Sequence, residues 1–340
     1  MKKIFLTIAL FTAALFTTCD DSTKIPGNGF ENIESLPGGV YIAGSYSNGS
    51  IQYACYWTGN KRVTLNGSYA DSIMVSDGIV LITGYYKNGP ENSNTKRCYW
   101  MNGTRFDAVS DSSDIIISKE KICELDYRGN VFIDRVELEL NSLQYWSGFI
   151  ASAITAANGR LHIIGRLSGG SQVLYCTDNA SKWTIFNNDT SGFSFVPEAV
   201  TVTSDGTVCV AGHSGSYSSD KKYWYGINGA FTELQGFPTL DDIKRVTISD
   251  NKVYVFKSYY GDGIFEYWQD GKKVTINLPE STSFDENVRD IAIFGGKLWM
   301  VGEYINFWPT NACYWVDGVR CDLYTRENES ASAFAIFVVK

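Results

Sequence analysis

Histidine, proline and methionine are scarce in this chain. Its 340 residues include two His, seven Pro and four Met. The two histidines, His162 and His213, are accompanied by no Cys-x-x-Cys pair and no Cys/His cluster, so we expect no metal site. Phosphate-binding, dinucleotide-binding and EF-hand motifs are also missing, and we expect no cofactor.

Positive charge and long apolar runs are in short supply as well. The formal net charge is −8 at pH 7 and the isoelectric point is near 4.9. This balance disfavours nucleic acid as a partner, because its phosphates would be repelled. Beyond residue 16, no apolar run approaches the roughly 18 residues that a membrane-spanning helix needs. We therefore expect membrane contact only through a lipid anchor.

The N-terminus has the composition of an export signal. Two lysines precede an apolar run over 4–16, which is too short to span a membrane and typical of a signal peptide. We predict a signal peptide at 1–18. A polar segment with Gly and Pro follows, and we predict a tether and lead-in at 19–37.

Cys19 follows this signal directly and resembles the lipidated cysteine of bacterial lipoproteins. Phe16 and Thr18 depart from that pattern, which usually has Leu and a smaller residue at these positions. The resemblance implies lipidation at Cys19 and a place in the bacterial cell envelope, either periplasmic or surface-exposed. An ordinary secretory signal with a chance cysteine is the alternative.

A repeat organises the rest of the chain. Residues 288–327 read as four short strands, with tight turns at Gly295-Gly296 and Asp317-Gly318. A four-stranded antiparallel unit of about 40 residues, repeated several times, is what a β-propeller needs, with each sheet forming one blade. The second residue of the first turn recurs every 39–47 residues, at Gly39, Gly78, Glu120, Gly159, Gly206, Asn251 and Gly296.

The two ends of the repeat array indicate how the ring closes. The array begins near Val40 with a second strand, whereas 334–340 aligns with the first strand at 291–297. Pairing the last strand with the first blade would cover otherwise open sheet edges. We therefore predict an all-β fold: a single seven-bladed β-propeller of four-stranded antiparallel blades over 38–340, closed by the C-terminal strand completing blade one.

Cysteine and tryptophan recur at fixed positions of the third strand. Cys55, Cys98 and Cys313 stand in the phrases ACYW, RCYW and ACYW. Equivalent positions of different blades lie too far apart for a disulfide, so we expect mostly buried free thiols. Tyr-Trp pairs share this position, and we expect a packing layer between blades rather than sugar-stacking rings. The pairs are 56-57, 99-100, 223-224, 267-268 and 314-315.

The blades resemble those of the kelch group and, more narrowly, exported bacterial propellers with repeated ACYW-x-x-G phrases. Kelch blades carry a double glycine after the second strand, whereas this chain has single glycines such as Gly44 and Gly302, and Asp126 and Lys257 replace even those. Kelch propellers mainly bind proteins, so the resemblance implies a binding role. A few relatives are copper oxidases, whose ligand set the two histidines do not obviously supply.

Binding is expected on one face of the propeller. The second-to-third and fourth-to-first connections should emerge together and be longer than the other turns, and we name this side the long-loop face. Aromatic rings beside amides and carboxylates there suit a carbohydrate or a peptide. The alternative is that the rings cap the sheet ends. The candidate ligand-binding residues are Tyr46, Tyr86, Tyr127, Tyr260, Tyr304 and Trp308.

Three functions remain open at this point. The first is an exported, lipid-anchored, monomeric propeller that binds an extracellular glycan or protein through the long-loop face. The second is a polysaccharide hydrolase or lyase with carboxylates at the channel mouth. No nucleophile motif accompanies either histidine, which favours the first function over an enzyme. The third is a scaffold within an envelope assembly.

Overall fold

The structure is a computed structural model that confirms the predicted propeller. The described residues form 28 β-strands, and they include no helix long and apolar enough to cross a membrane. The strands form seven antiparallel sheets of four strands each, and each sheet is one blade. The described residues are 39–59, 61–87, 95–110, 112–138, 140, 148–167, 172–177, 184–186, 195–215, 221–238, 241–257, 264–277, 285–305 and 309–339.

The first strands form the inner ring, because each of them contacts the first strand of the next blade all the way around the molecule. Strands are numbered in chain order, and the blades in the order of their second strands. From blade one to blade seven, the first strands are β28 (Glu329–Val338), β4 (Tyr69–Ser76), β8 (Ser112–Ser118), β12 (Phe149–Ala157), β16 (Phe195–Val202), β20 (Ile243–Ser249) and β24 (Asp285–Phe294).

The second strands lie next to the first strands and are buried on both faces. This burial explains their nearly continuous apolar runs, such as the buried stretch of Leu81 to Gly84. From blade one to blade seven, the second strands are β1 (Val40–Asn48), β5 (Ile79–Lys87), β9 (Lys121–Asp126), β13 (Arg160–Leu167), β17 (Val208–Ser214), β21 (Lys252–Lys257) and β25 (Lys297–Ile305).

The third strands carry the recurring Tyr-Trp pairs. From blade one to blade seven, they are β2 (Ile51–Thr58), β6 (Thr95–Met101), β10 (Val131–Ile133), β14 (Val173–Thr177), β18 (Lys222–Ile227), β22 (Ile264–Gln269) and β26 (Thr310–Val316).

The fourth strands are the outer edges, and most of them are short and rich in exposed polar residues, which disfavours edge-to-edge association. In the same order they are β3 (Lys61–Thr64), β7 (Thr104–Asp107), β11 (Val136–Glu137), β15 (Thr184–Ile185), β19 (Ala230–Glu233), β23 (Lys272–Asn277) and β27 (Val319–Asp322).

The ring closes as predicted. The C-terminal strand β28 pairs antiparallel with β1, from Val40 opposite Val338 to Asn48 opposite Glu329. An ion pair reinforces this closure, because Arg62 on the outer strand of blade one reaches Glu329 with Nη1–Oε2 and Nη2–Oε1 distances of 2.6 and 3.1 Å. The two ends of the described chain therefore belong to one sheet.

The third-to-fourth hairpins show why Asn or Asp stands first in these turns. Asn102 adopts a φ of 47°, and its side-chain oxygen accepts the backbone N–H of Val80 on the second strand at 2.9 Å. Asp317 does the same for Leu298 at 2.9 Å. A single residue thus supplies both the turn conformation and a hydrogen bond to the neighbouring strand. The first turn of blade five differs from the predicted two-residue hairpin, since it extends over 203–207.

The thiols and the tryptophans of four Tyr-Trp pairs lie in the core, as predicted. The fifth pair, 223-224, is shifted by two residues along its strand, because Trp224 lies opposite Gly212 and is only partly buried, whereas Trp100 lies opposite Ile82. Trp57, Trp100, Trp268 and Trp315 are at most 1% exposed. Burial also raises the thiol pKa values of Cys98 and Cys209 to about 12. The cysteines that are free and buried are Cys55, Cys98, Cys123, Cys176, Cys209 and Cys313.

A β-bulge interrupts the first strand of every blade beside the glycine position of the second strand. The bulge presses the first strand against the second, so that a Cβ on Gly84 would come within 2.1 Å of the Tyr69 carbonyl oxygen. This contact explains the single glycine of the second strands. The unpaired residues, which we call the bulge residues, are Phe334, Asp71, Ser113, Ser152, Glu198, Lys244 and Arg289, from blade one to blade seven.

Candidate functional site

A cleft of about 530 Å³ opens between blades two and three on the long-loop face. Its volume falls within the range of sites for small ligands. The third strand, fourth strand and exit segment of blade two form one wall, and the end of β9 with the following turn forms the other. The lining residues are Lys96, Arg97, Asp107, Ala108, Ser110, Asp126, Tyr127 and Arg128.

Tyr127 presents an open aromatic ring to this cleft. It is 67% exposed, more than any other described aromatic side chain. The neighbouring Arg128 donates from Nε to the Tyr127 hydroxyl at 2.8 Å, and its guanidinium carbon lies 5.2 Å from the ring centroid. The ring is therefore oriented by a hydrogen bond while its surface remains accessible to a ligand.

Asp126 holds the turn that carries Tyr127. Its Oδ1 accepts the backbone N–H groups of Arg128 and Asn130 at 2.9 and 2.8 Å, and its Oδ2 accepts the Asn130 amide at 3.0 Å. Asp126 stands where five other blades have glycine, so the departure from the repeat has a local cause. Its carboxylate fixes a compact turn at this position.

The opposite wall of the cleft supplies charged groups. Arg97 is mostly buried and forms an ion pair with the bulge residue Asp71, while its Nη2 donates to Thr83 Oγ1 at 3.2 Å. Lys96 is exposed, and Asp107 lies beside it at the end of β7. One aromatic face, two accessible cations and a carboxylate can together stack on a ring and hydrogen-bond its polar substituents.

Tyr46, Tyr86 and Tyr304 lie inside second strands, not in the connections after them as the sequence predicted. Each stacks against an arginine of the outer strand of its own blade, with centroid distances of 3.6 Å to Arg62, 3.9 Å to Arg105 and 4.0 Å to Arg320. The hydroxyls of Tyr46 and Tyr304 reach Thr64 at 3.1 Å and Asp322 at 3.2 Å. These three rings are part of a repeated contact within the blade.

The four described candidates lie in four different blades. Tyr127 belongs to blade three, whereas Tyr46, Tyr86 and Tyr304 belong to blades one, two and seven. Tyr260, Trp308 and the predicted lipidation site Cys19 lie outside the described residues.

The histidines have structural partners. His162 is 6% exposed, with Nδ1 2.5 Å from the Tyr175 hydroxyl and Nε2 3.1 Å from the Ala157 carbonyl oxygen. His213 lies on the long-loop face with Nδ1 2.6 Å from Oε1 of the bulge residue Glu198. No group of three His, Cys, Asp or Glu side chains suited to a metal ion occurs in the described ranges.

Sequence reasoning missed the bulge residues and the polar lining of the cleft. A signal for the bulge residues exists, because they precede the glycine position of the second strand by a nearly constant interval. Asp71 stands 13 residues before Gly84, and Arg289 stands 13 residues before Gly302. Nothing in the repeat alone shows that blades two and three separate into a cleft.

The fold and this cleft define the chain as a seven-bladed β-propeller with a polar, aromatic-bearing depression on its long-loop face. No protein-family model matches the chain, and no curated protein matches its sequence. The structural matches therefore stand alone.

Several solved structures have a similar fold at low identity. The GH74 xyloglucanase from Xanthomonas campestris is 10% identical with a TM-score of 0.46, covering 90% of this chain and 55% of that one. The YCF48 protein bound to D1 peptide is 12% identical with a TM-score of 0.41, over 78% and 91% of the two chains. Dihydro-heme d1 dehydrogenase NirN is 9% identical with a TM-score of 0.47, over 93% and 78%. Similarity at this level transfers no substrate or partner.

Proposed function

We propose that this protein is an exported, lipid-anchored binding module of the bacterial cell envelope that takes a glycan into the cleft between blades two and three. The observation that carries the proposal is the exposed ring of Tyr127, which is held by Arg128 over a cleft of about 530 Å³ with charged walls. Aromatic faces flanked by hydrogen-bonding groups suit the apolar and hydroxyl surfaces of a sugar ring.

The state of the acidic groups favours binding over hydrolysis. Glycoside hydrolysis uses two carboxylates that flank the bond to be broken. At the channel mouth, Asp71 is paired with Arg97 and Glu198 with His213. In the cleft, Asp126 accepts three hydrogen bonds from its own turn. The remaining carboxylate of the cleft, Asp107, accepts a hydrogen bond from the Tyr86 hydroxyl. These four carboxylates all have structural partners.

The first experiment is a glycan and polysaccharide array with the purified protein, followed by calorimetry on any hit. Tyr127→Ala should weaken binding about tenfold, because the stacking surface is lost. Val136→Ala is the matched control, since Val136 is a 70% exposed apolar residue of the same blade outside the cleft. An array without hits, or equal binding by Tyr127→Ala, would refute the proposal.

The alternatives are separated in the same experiment. Release of reducing sugar from a bound polysaccharide would show a hydrolase. Loss of binding in Tyr46→Ala with full binding in Tyr127→Ala would move the site to the Tyr–Arg stacks of the blades. Tyr46 is suitable for this comparison because its ring lies against Arg62 in another blade.

The lipid anchor is tested separately from the cleft. Metabolic labelling with a radioactive fatty acid should mark the wild-type protein, and Cys19→Ser should abolish the label. The Cys19→Ser protein should also move from the membrane fraction to the soluble fraction. Equal labelling of both proteins would contradict the proposed anchor and leave the cleft proposal untouched.

A further inference from the structure

The bulge residues surround the mouth of the central channel with unlike side chains. Around the ring, blade one contributes Phe334, blade two Asp71, blade five Glu198, blade six Lys244 and blade seven Arg289. A bulge leaves its residue outside the ladder of paired neighbours and re-aims the side chain. Blades six, seven and one thus place two cations and an aromatic ring next to one another.

Three cations at this side of the mouth have carboxylate partners. Arg289 donates from Nη2 to Glu303 Oε1 at 2.5 Å. Arg245 Nη2 lies 3.1 Å from Asp290, and Lys257 Nζ lies 2.7 Å from Asp241. These pairs neutralise the cations locally.

Lys244 differs from these cations. Its ammonium donates to the Arg289 carbonyl oxygen and forms no ion pair with any described residue. The side chain is exposed to solvent even though protein encloses it on most sides, as expected inside a channel. The enclosure lowers the pKa of Lys244, and the charges of Asp290 in the neighbouring blade and, to a smaller extent, of Asp71 three blades further around the ring partly oppose this effect. The hydrogen bond to Arg289 places the ammonium between the first strands of blades six and seven, which belong to the inner ring.

An aromatic wall lies beside these cations. The Arg289 guanidinium carbon is 5.9 Å from the ring centroid of Phe334, and Phe334 meets Tyr69 edge-on at 6.1 Å between centroids. Phe334 and Tyr69 are half-buried, so each keeps part of its ring accessible. A half-exposed phenylalanine among charged groups provides apolar surface for a ring.

We propose that the channel mouth is a second binding site, which takes a ring-bearing carboxylate with the carboxylate on Lys244 and the ring against Phe334 and Tyr69. A compact ammonium with no carboxylate partner is suited to an organic anion, and a charge-assisted hydrogen bond to it would be strong in an enclosed site. The shared chemistry belongs to sugar acids and to aromatic acids. The site is independent of the cleft that contains Tyr127.

The test measures binding of glucuronate, benzoate, acetate and glucose to the purified protein by ligand-observed saturation-transfer NMR. We expect millimolar binding of glucuronate, benzoate or both, and much weaker binding of glucose and acetate. Preference for glucuronate would identify a sugar-acid site, and preference for benzoate an aromatic-acid site. Absence of binding by both ring acids, or equal binding of glucose, would overturn the proposal.

Variants separate this site from a structural role of Lys244. Lys244→Met should weaken the ring acids about tenfold, and Lys244→Arg should retain most of the affinity. Lys272→Met, an exposed lysine on the outer strand of the same blade, is the matched control and should bind normally. Tyr127→Ala should also bind normally, so failure here is distinct from failure of the cleft proposal. Unchanged binding in a folded Lys244→Met protein would overturn the assignment.

Discussion

Asp290 links three blades through hydrogen bonds, and its replacement should destabilise the propeller. It lies on β24 of blade seven and is 3% exposed. Its Oδ2 accepts Arg245 Nη2 of blade six at 3.1 Å and the backbone N–H of Ile336 on the closing strand at 3.0 Å. Asp290→Ala would therefore remove one acceptor from two donors in different blades.

The magnitude follows from the two lost contacts. The Ile336 N–H is buried, and leaving such a donor without a partner costs about 1–3 kcal/mol. The Arg245 side chain is 35% exposed, so loss of its ion pair adds only about 0–1 kcal/mol. Asp290 Oδ1 has no hydrogen-bond partner among the described residues, and its removal offsets part of the loss. We expect a net loss of about 2 kcal/mol in the free energy of unfolding.

Urea unfolding followed by tryptophan fluorescence measures this loss, because Trp57, Trp100, Trp268 and Trp315 are buried and become solvated on unfolding. Asp290→Asn keeps an acceptor for Ile336 but no charge, so it should lose less than Asp290→Ala. Asp242→Ala is the control, since Asp242 is 74% exposed and lies 4.0 Å from Lys221. A stability of Asp290→Ala within about 0.5 kcal/mol of wild type would refute the reasoning.

Two further predictions concern the closing strand and the thiols. Burial alone would raise the pKa of Glu329, but hydrogen bonds from Arg62 and the Arg326 amide outweigh it and lower the pKa. Glu329 therefore stabilises the fold above its unfolded pKa, and this stabilisation is lost as pH falls through the folded pKa. Glu329→Gln should flatten the acid limb of a curve of unfolding free energy against pH. An unchanged acid limb would contradict the assignment. Cys98 and Cys209, with pKa values of about 12, should react with a thiol reagent at pH 8 only after addition of urea, whereas rapid reaction of the native protein would contradict their burial.

The propeller could be predicted from the sequence because its signals are local. Each blade contains two-residue turns in which Asn, Asp or Gly adopts a positive φ, as at Asp77-Gly78 and Asp317-Gly318. Blade three departs from this turn chemistry, since Lys119 and Glu120 replace the usual turn residues. Both nevertheless adopt positive φ, at 48° and 63°. The position of this turn in the repeat therefore predicts its backbone conformation better than its residue types do.

The candidate site could be predicted only in part. Tyr127 was found because it follows a second strand, and it is the described candidate that remains open to solvent. The same rule also selected Tyr46, Tyr86 and Tyr304, which stack on arginines two strands away. Whether an aromatic ring at a strand end stacks on a cation of its own blade depends on strand length and register. The position of the residue after a second strand contains no information on either.

The sequence by itself determined the number of blades, the strand order and the closure between β1 and β28. These features follow from hairpin turns and alternating burial, which act between residues close in the chain. Only the tertiary structure decided that Lys96 and Tyr127 share a cleft, and that Lys244, Arg289 and Phe334 surround one channel mouth. These groups belong to different blades, and their separation depends on how neighbouring sheets pack around the ring, which no local pattern records.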